Sequence, residues 1–177
     1  MSDLFDQVKS DHDPFKKLLS YVPGFKGYIE RQDRRDADKI LRERIGDEFE
    51  KLWQRLSSLQ IALVEEGGLM YVDDVERAGI KIRAFIDRVR TAAYGHSSLF
   101  DSIKVNEEEL ARLYEYDLAL FNSADELRAA LDNLEASLGS DGLPAAIRHL
   151  TNLAQQCIDA FNRREQVIAP QSNAPVQ

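Results

Sequence analysis

Residues 110–138 read LARLYEYDLALFNSADELRAALDNLEASL, and the spacing of their apolar positions decides the fold. Leu110, Leu113, Asp117, Leu120, Ala124, Leu127, Leu131, Leu134 and Leu138 are separated by alternating steps of three and four, a heptad seam kept in phase for four heptads. That period gathers them on one face of a helix, whereas a strand would alternate its faces every second residue. Asn106, with Glu109 three positions on, has the form of a capping box and opens a helix that runs to about Leu138. Ser123 with Glu126 resembles a second start, but the unbroken phase favours one continuous helix. Asp117 is the one charged residue on the seam. A buried carboxylate has to be paired or protonated. Asp117 is therefore either a specificity or pKa-shifted group, or the partner of an arginine on a neighbouring helix, and the second reading is the simpler.

Three further helices surround this one. Leu41, Ile45, Phe49, Leu52, Leu56, Leu59 and Leu63 step by three and four within a helix predicted over Tyr28 to Glu66, with Trp53 beside the stripe and Gly67-Gly68 as the stop. The phase runs straight through Gly46, which weakens the helix by about 1 kcal/mol without breaking it. Val75, Ala78, Ile82, Ile86, Val89 and Ala93 define a helix over Val72 to Tyr94 that ends at Gly95. Pro144 starts the last helix, which carries Leu143, Ile147, Leu150, Ala154, Cys157 and Phe161 towards Ile168. Ahead of them, Asp13-Pro14 begins a short helical turn that ends at Pro23-Gly24. The expected fold is all-α: an elongated bundle of four long helices packed as antiparallel neighbours, one of them unusually long. Residues 1–27 form short amphipathic N-terminal segments and a turn, 28–168 the bundle, and 169–177 a tail expected to be disordered.

Charge and composition narrow the function. The chain has 177 residues and a net charge of −8, and residues 105–142 hold ten acidic groups against Arg112 and Arg128. Nucleic acid needs basic charge laid against phosphate, so no nucleic-acid partner is expected. An acidic face suits a basic partner or simple solvation. The single Cys157 excludes an internal disulfide and any multi-cysteine metal site. The N-terminus lacks a signal-peptide pattern and no apolar run is long enough to span a bilayer, so a cytoplasmic location is the expectation.

The motifs that would announce chemistry are missing. No Glu stands three residues before His12, His96 or His149, and neither a His-Glu-x-x-His motif nor a phosphate-cradling glycine loop occurs. No cofactor, metal or catalytic residue is assigned, and the chain is read as a non-enzyme. The candidate partner-binding residues are aromatic and apolar. Phe25 and Tyr28 lie on the corner Pro23-Gly24-Phe25-Lys26-Gly27-Tyr28, where they either anchor a partner or close the end of the bundle. Leu99 and Phe100 lie in the His96–Val105 segment, which is longer than bundle connections usually are. The charged run Arg31, Arg34, Arg35, Lys39, Arg42 and Arg44, interleaved with Glu30, Asp33, Asp36, Asp38 and Glu43, predicts a helix that projects into solvent or onto another subunit.

Residues 13–28, DPFKKLLSYVPGFKGY, followed by Arg34-Arg35-Asp36-Ala37-Asp38-Lys39, resemble a family of uncharacterised bacterial helical proteins. Residues 87–95, DRVRTAAYG, with Leu99-Phe100-Asp101, are similar to a second stretch of that family. The resemblance reaches to about residue 138 and implies a bacterial, cytosolic, all-α protein with no established activity. The function expected on all these grounds is a protein-interaction or scaffold module whose partner is another protein or a second copy of the chain. Two alternatives stand beside it. One is a peripheral membrane adaptor whose foot is residues 1–28, through Leu4, Phe5, Val8, Phe15, Leu18 and Leu19; the other is a small-molecule-binding bundle with its pocket near Asp117 and Tyr114.

Overall fold

The computed structural model describes residues 14–25, 33–92 and 107–168, with side chains over 14–25, 37–92 and 111–164. Within them the protein is all-α. A short helix α1 (Pro14–Tyr21) precedes four long ones: α2 (Asp33–Glu65), α3 (Val72–Thr91), α4 (Glu107–Ala136) and α5 (Leu143–Ile168). One turn of 3-10 helix (Leu69–Tyr71) leads into α3. Among the described residues, no helix is long and apolar enough to cross a membrane.

The stripes read from the sequence form the core. Leu41, Ile45, Phe49, Leu52, Leu56, Leu59 and Leu63 of α2 are all buried, as are Leu120, Ala124, Leu127, Leu131 and Leu134 of α4. Gly46 lies inside α2, as the continuous phase requires. At 33 residues α2 is the longest helix, about 50 Å at 1.5 Å per residue. It stops in a Schellman motif: the Gly68 amide donates to Leu63 O at 2.8 Å, the Gly67 amide to Val64 O at 3.1 Å, and Gly67 takes φ +79°. At the other reversal Phe25 N donates to Val22 O at 3.1 Å across Pro23-Gly24, with Gly24 at φ +84° as the second corner residue of a type II turn demands.

The helices form a closed ring in the order α2, α3, α5, α4, with α1 against α4. The expectation that consecutive helices all pack as antiparallel neighbours is corrected here. α2 with α3, and α4 with α5, are antiparallel hairpins, but α3 and α4 lie across the diagonal. Pairs down the remaining two seams show the direction. Arg128 meets Glu48 while Arg55 meets Asp132 and Glu135, so α2 and α4 run parallel. Lys81 bonds Gln155 and Arg88 bonds Asn162, so α3 and α5 do as well. The physical reason is the length of the connection between Thr91 and Glu107, which reaches a diagonal position where a short loop would hold its helices side by side.

α1 packs along α4, held by aromatic contacts. Tyr21 stacks on Phe121 with ring centroids 4.7 Å apart and donates its hydroxyl to Asp125 Oδ2 at 2.7 Å. That hydrogen bond, helped by burial and by the Asp125 charge, raises the Tyr21 pKa to about 12.

Candidate functional site

Two features stand apart from the apolar packing. The first is a buried charge network that joins all four long helices. Arg42 Nε donates to Asp38 Oδ2 at 2.7 Å, and Arg42 Nη1 donates to the Val89 carbonyl in the last turn of α3 at 3.0 Å. Arg164 of α5 reaches two carboxylates at once, Asp117 Oδ1 through Nε and Asp38 Oδ1 through Nη2, both at 2.5 Å. All four side chains are buried, Asp117 completely. Among the described residues two carboxylates face two guanidiniums, and each of the four is hydrogen-bonded as a dry site requires.

Asp117 is therefore buried and paired with an arginine from a neighbouring helix. The charged start of α2 corrects a sequence expectation: Asp38 and Arg42 do not project into solvent. Ala37, Asp38, Leu41, Arg42 and Ile45 are the inward face of that stretch, while Lys39 and Glu43 are exposed. Burial pushes the Asp38 carboxyl upward, but the Arg164 and Arg42 guanidiniums beside it outweigh that and hold it below its ordinary value. An aspartate kept ionised by arginines that do not deprotonate exchanges no proton near neutrality. The arrangement joins the four long helices. Cys157 is equally unreactive, since burial raises its thiol pKa to about 12.

Phe25 is buried. Its ring lies 6.0 Å from Phe15 and 6.4 Å from Tyr114, and Phe15 is 5.3 Å from Tyr114. The Phe25 ring belongs to the aromatic packing at this end of the bundle and is not exposed. Of the apolar side chains named for a membrane foot, Leu18 is fully buried, and Phe15 and Leu19 pack against the core. Tyr28, Leu99, Phe100, the segment 1–13 and the tail 169–177 lie outside the described residues. No group of three or more metal-ligating side chains occurs among the described residues.

The second feature is the reversal between α2 and α3, at the opposite end of the bundle from the charge network. Leu69 is 70% exposed and Met70 78%, and just before them Ile61 is 65% and Val64 47% exposed. Gly68, by contrast, is buried against Leu63. The motif that turns the chain inward at Gly68 thus pushes the next two side chains outward. Sequence reasoning passed over all four. Their signal is nonetheless present: Ile61 and Val64 fall out of phase with the buried Leu56, Leu59 and Leu63, and Leu69-Met70 are large apolar residues caught between Gly67-Gly68 and Asp73-Asp74. Comparison of the chain with protein-family models, curated proteins and solved structures gives no match.

Proposed function

We propose that the chain is a non-enzymatic protein-interaction module, a helical scaffold that docks a partner at the tip of the α2–α3 hairpin. The observation that supports this is the exposure of Ile61, Val64, Leu69 and Met70 within ten residues of chain, where among the described residues the other large apolar side chains, Ile40 and Ile80 apart, mostly serve the core. Grouped apolar side chains left in water are a cost that a partner recovers by covering them. Met70 adds an unbranched, polarisable side chain that adapts to the surface it meets.

Replacing Leu69 and Met70 with Ser tests this, because their exposure leaves the bundle's packing untouched. Tagged wild-type and Leu69→Ser/Met70→Ser proteins of equal Tm are used to retain partners from a lysate of the source cell. A partner held by the wild type and lost by the variant is the expected result. An identical set of retained proteins sinks the reading.

A further inference from the structure

The chemistry of the partner is written around those apolar side chains. From Gln60 to Arg77 the chain carries Glu65, Glu66, Asp73, Asp74 and Glu76 against a single cation, Arg77, and that cation is bound to Asp74. The neighbouring α4–α5 loop adds Asp141 to the same end, since Glu66 reaches to within 3.7 Å of the space beside Gly139. Glu76 accepts a hydrogen bond from Gln60, whereas Glu65, Glu66, Asp73 and Asp141 have no ion pair among the described residues. Asp73 and Asp74 suit the first turn of α3, where the helix dipole favours a negative charge. Glu65 and Glu66 do not have that justification. They stand at the C-terminal end of α2, where the dipole is already negative and a lysine or arginine would be the stabilising choice, yet the last turn of α2 holds no basic residue.

We infer that this tip receives an amphipathic helical segment of a partner protein, with aliphatic side chains on one face and lysine or arginine beside them. The inference rests on the docking reading above and adds the identity of what docks. The apolar residues supply the area that holds the segment, and the acidic rim selects its charge and draws it in. The same rim argues against a second copy of the chain as the occupant, because two tips face to face would bring like charges together around their apolar centres.

The test uses the full-length protein and fluorescein-labelled designed helical peptides of about 18 residues, roughly 27 Å long when helical. One has leucine on one face and lysine on the other, and its counterpart has glutamate for lysine. Binding is followed by fluorescence anisotropy at low and high salt, with light scattering on the protein alone. The leucine–lysine peptide is expected to bind the wild type, to lose affinity about tenfold on Leu69→Ser/Met70→Ser, and to lose several-fold on Glu65→Gln/Glu66→Gln or in high salt. The leucine–glutamate peptide is expected not to bind. Equal affinity for both peptides overturns the basic partner and leaves the docking tip standing. Binding unchanged by Leu69→Ser/Met70→Ser, or no binding at all, overturns the inference, and partner capture then judges the docking reading alone. A dimer that Leu69→Ser/Met70→Ser dissolves makes the occupant a second copy and overturns the inference.

Discussion

Arg164 holds two carboxylates that reach it from different helices, Asp38 from α2 and Asp117 from α4, and its substitution has a definite cost. Arg164→Met takes away the guanidinium that two interior carboxylates share, a change worth about 3–5 kcal/mol of lost stability in urea denaturation. Asp117→Leu made in the same chain removes the carboxylate that Arg164 held, so the double variant is expected to be more stable than Arg164→Met alone. A double variant no better than the single one would mean that the pair is not coupled as described. Asp38 adds a pH dependence of known sign. Its folded pKa lies below the ordinary 3.8, so its contribution is complete above that value and disappears as pH falls through the folded pKa. Stability measured from pH about 6 down to about 2 should therefore fall less steeply in Asp38→Asn than in the wild type; parallel curves would sink the assignment. Asp117 was legible in the sequence because it interrupts a run of leucines. Asp38, Arg42 and Arg164 were not: in a stretch where every second residue is charged, nothing local says which face another helix will cover.

At the scale of elements, two glycines in α2 and its cap separate space from conformation. A Cβ on Gly68 would stand 2.3 Å from Leu63 Cδ1 and 2.9 Å from the Leu63 carbonyl oxygen, and that carbonyl is fixed in the capping hydrogen bond. Gly68→Ala is expected to lower stability by about 1–3 kcal/mol. A Cβ on Gly46 meets Arg90 Nε at 3.0 Å, but this is the outer part of a flexible side chain that bridges Asp47 and Glu50 at the surface. Alanine improves the helix by about 1 kcal/mol, so Gly46→Ala should leave the midpoint of thermal unfolding unchanged or raised. A loss at Gly46 as large as that at Gly68 would show that the Arg90 bridge is rigid. Helix existence and caps were legible because they are written locally: the seam of α4, Pro144 at the start of α5, Gly67-Gly68 after α2. The start of α2 read from the sequence, Tyr28, lies outside the described residues, which take up the helix at Asp33; charge-rich sequence before Ile40 has no apolar period to mark where a first turn forms.

For the whole molecule, the arrangement of the two hairpins is the fact that local patterning leaves open. Every stripe is equally content against any other, and only the distance spanned by the α3–α4 connection bears on the choice. Cysteines at Arg55 and Asp132, whose side chains pair at 2.6 Å, should be joined by a short bis-maleimide, and cysteines at Ile80 and Asp132 should not; the reverse pattern would place α4 against α3. Cys157, buried and held as a thiol, does not interfere. The apolar tip was hidden for a related reason, because exposure is decided only when three other helices have taken their places. The charge network, finally, resolves an ambiguity that the leucines of α4 create. A ladder that repeats every seven residues looks the same after a slide of one repeat, with leucine arriving where leucine left. Asp117 marks a single rung: moved by a heptad, it would leave Arg164 facing Leu110 or Ala124. The leucines determine how firmly the ladder is held, and one aspartate determines which rung is which.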